Sequence, residues 1–462
     1  MKFNNKLKLL LASLFVLICI GYFFTNSVIG EDKSLNLKAY FSEDQKQTIK
    51  KYLFPFKLIS LQRQEIIDQD KRVTELEELF YQLELDFKKS GKNIGLIQSN
   101  IKLSNNKNLY KFKLKSGFYH GIANEFPGSG YIEFFENNFF ILSSRGILVY
   151  RNEDLNDDNF IFKQIDNNIN EFIDSKQFGK KNWFSLKDLL IFDGKIFVSY
   201  TEEISEDCWN TSLLIGNFNY EKIQFEKLFS PKECINEKNN IDNEFNGHQS
   251  GGRIISFDDN HVLFSVGEYR SRFLAQDTNS VNGKIIKINY ENNNYQIVSM
   301  GHRNPQGLFF DKENNFILET EHGPTGGDEI NLIEVKDINN NKIPNYGWAI
   351  ASQGSIEKSY NLKYEKYPLY KSHSEHGFIE PLKSYQPSIG ISEIVKIGDN
   401  NEYVVSSLKD SSLYFFELNE EKKIINMERI EVFERIRDIK FYKKKLYLFM
   451  EDSASIGLIN IN

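Results

Sequence analysis

The chain has few cysteines, no excess of positive charge and little apolar sequence long enough to enter a membrane. Its 462 residues include three cysteines, 57 lysines and arginines, and 64 aspartates and glutamates, for a net charge of -7. Without a basic excess, the sequence gives no reason to expect nucleic acid as a partner. Hydrophobic residues make up 40% and aromatic residues 14%, which predicts a largely globular chain with one large core or several domains.

The long apolar run of the chain lies at its N-terminus. Three lysines within Met1–Lys8 precede residues 9–24, which are almost entirely apolar. A basic stretch followed by such a run is typical of an export signal, so we expect residues 1–30 to direct the chain out of the cytoplasm. The length fits either a cleaved signal peptide or a membrane anchor through residues 9–24. The sequence therefore predicts a periplasmic protein, or one anchored to the membrane and facing outwards.

Two cysteines lie outside this N-terminal segment, Cys208 and Cys234. An oxidising compartment would permit a disulfide between them. The spacing alone does not show whether the two residues meet in the fold, so two free thiols remain the alternative.

Residues 31–109 carry a helical pattern that the rest of the chain lacks. Apolar residues recur at helical spacing between Ile59 and Phe87, and charged residues fill most other positions. The pattern predicts a helix that begins after Pro55 and ends near Gly91. We expect this helix to pack on the main domain. A short coiled coil is the alternative, but about three heptads are marginal support for one.

From Tyr110 to Asn462 the pattern is almost entirely that of β-strands. A unit of two apolar runs around a turn rich in Asn, Asp or Lys recurs six times. Six units predict an all-β fold, a six-bladed β-propeller over residues 110–462, with a pair of packed sheets as the alternative. Residues 348–387 fit no unit and are expected to be an insertion on one face. The paired runs are Tyr131–Phe135 with Phe139–Ser143, Leu186–Ile191 with Lys195–Tyr200, Arg253–Phe257 with His261–Val266, Gly307–Phe310 with Asn315–Glu319, Ser392–Ile397 with Glu402–Ser406, and Ile436–Phe441 with Lys445–Met450.

Polar clusters flank these strands, where a propeller gathers its loops around the central channel. The fourth unit lies between Gly301–Gly307 (GHRNPQG) and Glu321–Glu329 (EHGPTGGDE). The third opens with Gly247–Arg253 (GHQSGGR) and is followed by Gly267–Arg272 (GEYRSR). The sixth opens with Arg435–Asp438 (RIRD). These positions would bring an imidazole and several cations to one channel mouth, whereas polar side chains that only cap strands are the alternative.

In their order, the clusters resemble those of soluble sugar dehydrogenases that use pyrroloquinoline quinone (PQQ) and calcium, the glucose/sorbosone dehydrogenase-like propellers. The resemblance runs from about Trp183 to Asp438, and Gly267–Asp277 is more similar to the aldose dehydrogenase branch. It implies an exported oxidoreductase that oxidises the anomeric C1 hydroxyl of an aldose to a lactone and passes electrons to an external acceptor. The segments that carry the resemblance are GHRNPQG, EHGPTGGDEINLI, NYGW, HQSGGR, GEYRSR, AQD, GKIIKIN, SSLK and RIRD.

The resemblance also implies roles for individual residues. His248 matches the general base that takes the C1 hydroxyl proton, a task that suits an imidazole with its ordinary pKa of about 6.5. Arg303 matches the arginine that stabilises negative charge developing on the quinone. The carbonyls of Gly323 and Pro324 match the calcium ligands, and calcium prefers oxygen donors. The residues that match contacts to the cofactor are Asn304, Ser388, Lys409, Arg435 and Arg437, and the last three would hold its carboxylates.

The chain departs from the family pattern at three places. Trp183–Ser185 replaces Gln-Gly-Gly, and Ala349 replaces a proline. Gln386 replaces a tryptophan that packs against the cofactor, with Tyr385 as a candidate substitute. Because of these departures, a non-catalytic propeller that binds a sugar or a protein is a second hypothesis. A metal-dependent hydrolase such as a lactonase is a third hypothesis, although the acidic residues form no obvious metal set.

Arg435 and Arg437 also have a purely structural interpretation. They alternate along a predicted strand and so face the same side. Glu431 and Glu434 are near in sequence, and the four residues would then form a solvated, salt-bridged edge.

Overall fold

The computed structural model describes residues 97–461, apart from 105–106, 115–128, 154–161, 174–176, 178–184, 325, 356, 359–365 and 399, together with residues 66 and 69. The chain divides into two compact units, Met1–Glu84 and Leu85–Asn462, and the strands below belong to the second. The predictions of an N-terminal signal or anchor and of a helix ending near Gly91 fall outside the described residues, except at positions 66 and 69. No helix among the described residues has both the length and the apolar character needed to cross a bilayer.

Blades one to three follow two N-terminal strands, β1 (Ile97–Lys102) and β2 (Asn108–Lys113). In blades one to five the antiparallel strands run outwards from the axis in chain order, whereas blade six is completed on its outer side by β2 and then β1. Blade one contains β3 (Gly130–Phe135), β4 (Asn138–Ser143), β5 (Leu148–Asn152) and β6 (Lys163–Asn167). Blade two contains β7 (Leu186–Phe192), β8 (Lys195–Ser205), β9 (Cys208–Asn217), β11 (Phe225–Phe229) and the short β12 (Ile235–Asn236), while β10 (Lys222–Ile223) pairs with β6. Blade three contains β13 (Gly251–Asp258), β14 (His261–Val266), β15 (Lys284–Asn289) and β16 (Tyr295–Met300).

Blades four to six complete the ring. Blade four contains β17 (Pro305–Asp311), β18 (Phe316–Glu321), β19 (Asp328–Glu334) and β22 (Lys383–Tyr385), and a small hairpin of β20 (Glu357–Lys358) and β21 (Lys366–Tyr367) precedes β22. Blade five contains β23 (Ile391–Ile397), β24 (Glu402–Ser407), β25 (Ser412–Leu418) and β26 (Ile424–Glu431). Blade six contains β27 (Ile436–Tyr442), β28 (Lys445–Met450) and β29 (Ser455–Asn460). The helices whose full bounds lie within the described residues are α1 (Val335–Asn339) and the 3-10 turns Ile169–Glu171, Arg272–Gln276 and Ser374–His376, and residues 66, 69 and 177 are also helical.

The six predicted hairpins are the two innermost strands of the six blades, so the prediction of a six-bladed all-β propeller is confirmed. In blade two, for example, Leu189 lies opposite Val198 in the antiparallel pair β7–β8. The innermost strands β3, β7, β13, β17, β23 and β27 contact one another in a closed ring. Every inner strand therefore starts near the axis.

The propeller begins earlier than the predicted boundary at Tyr110. β1 and β2 extend blade six, where β2 pairs with β29 and Tyr110 lies opposite Leu458. Residues 97–109 thus belong to the propeller and not to the helical region predicted for residues 31–109. Because the first and last strands share one sheet, the ring is closed by backbone hydrogen bonds.

The connection at residues 348–387 is only partly an insertion. Lys383–Tyr385 forms the outer strand of blade four, with Tyr385 opposite Asp328. The prediction for this stretch was therefore wrong at its C-terminal end.

Six apolar clusters lie between neighbouring blades in the described part of the chain. Between blades three and four, for example, Leu263 and Ile285 pack with Leu308 and Ile317, all four almost completely buried. Burying a side chain of this size contributes about 1.5–3 kcal/mol. Each blade shares an apolar cluster with both of its neighbours. Burial of these clusters therefore stabilises the closed ring of six blades.

Cys208 and Cys234 form a disulfide, with Cα atoms 5.3 Å apart. The bond ties β9 to the segment before β12. The two cysteines therefore form the disulfide that the sequence permitted, and the alternative of two free thiols was wrong.

A buried group of charges, which we call the axial cluster, joins the inner strands around Arg253. The Arg253 Nη1 donates to Asp188 Oδ1 at 3.0 Å and to Asp438 Oδ1 at 3.0 Å, and lies 2.9 Å from Glu393 Oε2. The three acids come from blades two, six and five, so one guanidinium holds four blades together. Lys440 belongs to the same cluster through Glu133, at 3.1 Å.

The carboxylates of the axial cluster also accept backbone N–H groups from other blades. Asp188 accepts from Ile254, at 2.7 Å. The other two bonds run from Leu308 to Glu393 at 3.1 Å and from Ile132 to Asp438 at 2.8 Å. The axial cluster is therefore built into the register of the blades, and it forms the floor beneath the site described next.

Candidate active site

A cavity of about 280 Å³ lies at the axis, and two of its lining residues, Tyr131 and Arg437, contact Arg253 of the axial cluster. Most of its wall is made by residues at the start of the innermost strands or just before them. His322, Leu408 and Glu451, which follow the second strands of their blades, complete it. Four of the described lining side chains are cationic and one, Glu451, is anionic. The blades contribute, in order, Tyr131, Lys187, His248, Arg303, Leu408 and Arg437, among others.

Arg435 and Arg437 face the cavity together, because alternate residues of a strand point the same way. Their partner is Glu451, at the end of β28. Its Oε2 accepts from Arg435 Nε at 2.9 Å, and its Oε1 accepts from Arg437 Nη2 at 2.8 Å. Burial raises the pKa of Glu451, but the two guanidinium groups more than offset this and leave the pKa at about 2.

The structural interpretation, in which these arginines pair with Glu431 and Glu434 at a solvated edge, was wrong. Glu434 accepts from Lys111 of β2 instead. The two arginines are therefore part of the cavity wall and not a solvated edge.

His248 lies at the cavity mouth, on the loop before β13. A bond from its own N–H to Asn246 Oδ1, at 2.9 Å, fixes the backbone of this loop. The imidazole is accessible to solvent, yet the surrounding wall removes part of its hydration. This loss, with the positive charges of Lys187 and Arg437, lowers the pKa of His248 to about 3, against an opposing effect of Glu451. His248 is thus neutral at pH 7 and able to accept a proton.

Arg303 is anchored on three sides in the wall of blade four. Its Nη1 donates to the carbonyls of Gly323 at 2.8 Å and His322 at 3.2 Å. Its guanidinium lies over the Trp348 ring, with Cζ 5.3 Å from the ring centroid. When the side-chain amide of Gln249 is oriented so that both its nitrogen and its oxygen form hydrogen bonds, the oxygen accepts a hydrogen bond from Arg303 Nη2 at 3.0 Å. Arg303 is therefore held rigidly beside the loop that carries His248.

Asn304 connects the same two loops. Its Oδ1 accepts the N–H of Gly251 at 3.0 Å and Gln306 Nε2 at 3.0 Å. The structure thus brings His248, Arg303, Asn304, Arg435 and Arg437 to one cavity, although their roles toward a cofactor or substrate stay predictions.

The turn that was expected to bind calcium is held by hydrogen bonds in this structure. Gly323 O accepts from Arg303, as described above, and Pro324 O accepts from Ser388 Oγ at 3.3 Å. Ser388 Oγ also accepts the N–H groups of Gly326 at 2.8 Å and Gly327 at 3.1 Å. Two carbonyl oxygens suit calcium as donors. A cation bound to Gly323 O would share that oxygen with the guanidinium of Arg303.

Two predicted cofactor contacts lie outside the cavity wall. Ser388 supports the 323–327 turn, as its three hydrogen bonds show, and does not line the cavity. Lys409 is exposed, and its backbone N–H donates to Ile389 O at 3.0 Å, so Leu408 takes the lining position of this segment. The sequence match placed Lys409 at the right loop but could not show which of two neighbouring side chains turns inwards.

The departures from the family pattern also have structural outcomes. Gln386 is exposed, and its Nε2 donates to Gln353 O. Tyr385 does not replace the missing aromatic, because it is buried between blades four and five with its ring 5.3 Å from that of Tyr414. Trp183 lies outside the described residues.

Lys187 and Glu451 line the cavity but were missed in the sequence. Each interrupts an otherwise apolar stretch at a strand end, in LKDLLIF and in LYLFME. The signal that could have found them is a charged residue near a strand end, because these strand ends meet at the axis.

A second polar group lies behind Arg303 in blade four. His302 Nδ1 is 3.8 Å from Glu319 Oε2 and 3.7 Å from Glu321 Oε1, and all three side chains are buried. Their ligand atoms lie close enough together to hold a metal ion. Burial, and then the neighbouring Glu321, raises the pKa of Glu319 well above its ordinary value.

The fold and the cavity define a six-bladed propeller with a polar, cation-lined axial site. The chain belongs to the glucose/sorbosone dehydrogenase family, whose model matches residues 191–459, more than half of the chain.

Individual relatives agree with this assignment. The chain is 25% identical over 237 residues to the aldose sugar dehydrogenase YliI of Escherichia coli K12, covering 47% of this chain and 60% of that protein. The soluble aldose sugar dehydrogenase of Escherichia coli in the apo-form has a similar fold, with a TM-score of 0.58, 20% identity, and coverage of 76% and 99%. The PQQ-bound aldose sugar dehydrogenase of Streptomyces coelicolor gives a TM-score of 0.52, 15% identity, and coverage of 72% and 99%.

Proposed function

We propose that the chain is a PQQ-dependent sugar dehydrogenase that oxidises the C1 hydroxyl of an aldose to a lactone. The observation that carries the proposal is the cavity itself, where a neutral imidazole stands beside an array of cations. The relatives named as aldose sugar dehydrogenases, one of them PQQ-bound, support it. The cations suit a planar cofactor with several carboxylates, so the residues present fit PQQ.

When bound, PQQ supplies an acceptor for the two electrons and the hydrogen that leave the sugar C1 as hydride. Arg437 and Arg435 would hold its carboxylates, since their guanidinium groups face the cavity as a pair. An unprotonated ring nitrogen of His248 would take the proton of the C1 hydroxyl as the C1–H bond breaks, which leaves a C1 carbonyl and hence the lactone.

The charge balance of the cavity also affects the basicity of His248. Its pKa is lowered in part by Lys187 and Arg437. An anion held by these cations would offset their charge and so raise the pKa of His248 from about 3, which makes its imidazole a stronger base. Binding of an anionic cofactor would thus prepare the base.

Arg303 has the geometry for stabilising negative charge. Its guanidinium is fixed by two carbonyls and stacked on Trp348, so no reorganisation is needed when charge develops beside it. Calcium at Gly323 O and Pro324 O remains a separate proposal, because the ion and Arg303 Nη1 would share the Gly323 oxygen.

We also propose that the protein works outside the cytoplasm, as a periplasmic or membrane-anchored enzyme that passes electrons to an external acceptor. The disulfide between Cys208 and Cys234 supports this location, because disulfides persist in oxidising compartments.

The test is reconstitution of the purified chain with PQQ and calcium, followed by dye reduction with a panel of aldoses. The proposal predicts sugar-dependent dye reduction and a lactone product. If the protein binds PQQ but reduces dye with no aldose, a binding propeller replaces the enzyme. The exposed positions of Gln386 and Lys409 are the features that would favour that alternative.

A further inference from the structure

Lys187 occupies the cavity floor on the side of blade two. It lies in β7 between the buried residues Leu186 and Asp188, and it lines the cavity. The stem of Lys187 packs on Gly252, where a Cβ atom would collide with it and where φ is +115°. Glycine at position 252 therefore makes the room in which the lysine stem lies.

Contacts of Arg253 show the depth at which Lys187 lies. The Arg253 guanidinium donates to Arg437 O at 2.9 Å and to the carboxylate of Asp188 at 3.0 Å. It also lies under the Tyr131 ring, 5.4 Å from the centroid. Lys187 belongs to blade two and Arg437 to blade six, the two blades that flank Tyr131 of blade one in the ring, and all three side chains line the cavity.

The charged and titratable groups that face Lys187 come from two blades. Arg437 and Glu451 act on it from blade six, and His248 lies toward the mouth on blade three. Glu451 is already bonded by both Arg435 and Arg437. Burial and Arg437 lower the pKa of Lys187 to about 7, while Glu451 opposes the shift. The floor of the cavity is therefore richer in cations than in acids, and an anion placed there would relieve the repulsion.

We propose that Lys187 binds a carboxylate of the anionic quinone cofactor from blade two, across blade one from the contact made by Arg437. The proposal rests on the proposed function. Lys187 thereby supplies a cationic side chain to the cavity wall. Lys409 does not, because it is exposed outside the wall.

The consequence is uptake of a proton on cofactor binding. In the free protein, Lys187 loses its proton near neutral pH, whereas contact with a carboxylate favours the charged form. Above pH 7, the affinity for PQQ should therefore fall by up to about tenfold per pH unit. The neighbouring groups do not titrate there: His248 is neutral, Glu451 is ionised, and Arg435 and Arg437 stay charged.

The experiment is a calorimetric titration of the purified protein with PQQ between pH 6 and 9. Lys187→Met should weaken binding about ten- to a hundredfold at pH 6.5 and remove the slope with pH. Lys187→Arg should also remove the slope but keep tight binding, because arginine stays charged. Lys195→Met is the matched control: Lys195 lies on β8 of the same hairpin, bonds to Asn217 at 2.7 Å, and should leave affinity and slope as in the wild type.

The outcomes separate this inference from the proposed function. If Lys187→Met and Lys187→Arg both keep the wild-type affinity and slope, Lys187 is not a cofactor contact, while PQQ dependence stands. If the wild-type protein does not bind PQQ at any pH, both proposals are lost. A folding defect in the methionine variant would leave the arginine variant to decide, because its charge and size preserve the site.

Discussion

The cavity wall and the axial cluster beneath it contain the same kinds of charged residue but balance them in opposite ways. In the axial cluster, Arg253 is surrounded by three carboxylates within hydrogen-bonding distance. In the cavity, Glu451 is the acid among four cations of the described wall. Acids in excess of cations fix the blades to one another, whereas cations in excess of acids leave the wall suited to an anionic ligand. The balance of charge, and not the presence of charge, separates structure from function here.

Replacing the base should produce the largest change and should leave the axial cluster untouched. In the reconstituted enzyme, His248→Ala should lower turnover by about two to four orders of magnitude, the usual range for losing a general base. The affinity for PQQ should change little, because the arginines carry it. Steady-state dye reduction and calorimetry of the same preparation measure the two quantities. Wild-type turnover in this variant would show that the imidazole is not the base.

Removing the cation of the axial cluster should affect stability first. Arg253→Met leaves Asp188, Glu393 and Asp438 without their common partner, and an uncompensated buried charge costs about 3–5 kcal/mol. Urea denaturation at pH 7.5 measures the loss. Burial raises the pKa of both Asp188 and Glu393, although Arg253 opposes the two shifts. Protonation of these two acids should therefore shrink the deficit at pH 5.

The matched control for that variant is Arg435→Met. It leaves Glu451 bonded to Arg437, so the loss of stability should be much smaller. Equal losses in the two variants would mean that the cavity wall and the axial cluster do not differ in the way described.

The excess of acids in the axial cluster should also make the free energy of unfolding depend on pH. Burial raises the pKa of Glu393 to about 8, although Arg253 opposes the shift. The folded state therefore holds this proton between about pH 4.5 and 8 while the unfolded state has lost it, so stability should fall as the pH rises through that window. Glu393→Gln keeps the acceptor for the N–H of Leu308 and should flatten the slope. Parallel curves of unfolding free energy against pH for the two proteins would contradict this.

The sequence predicted most of the fold because the signals for hairpins are local. Alternating apolar residues around a turn identified both inner strands of every blade. β1 and β2 were missed because IQSNIK and NLYKFK are short and polar, and their place in blade six depends on pairing with β29 at the other end of the chain. No local pattern reports such a pairing.

The candidate site was predicted in part, through the order of the polar clusters. His248, Arg303, Asn304, Arg435 and Arg437 reach one cavity as expected. Matching motifs could not show that Ser388 supports a turn or that Lys409 faces outwards, because side-chain direction depends on the loop backbone. Lys187 and Glu451 follow from the closed ring, which places strand ends from different blades side by side.

The central claim is that the cavity binds a polyanionic quinone through its excess of cations. The most direct test is calorimetric titration of the wild type and of the triple variant Arg435→Gln, Arg437→Gln, Glu451→Gln with PQQ at pH 6.5. The triple variant removes both cations together with their acid, so no buried charge is left unbalanced. The account predicts saturable binding of one equivalent by the wild type and about a hundredfold weaker binding, or none, by the triple variant. Equal affinity in the two proteins, or no binding by the wild type, would contradict it.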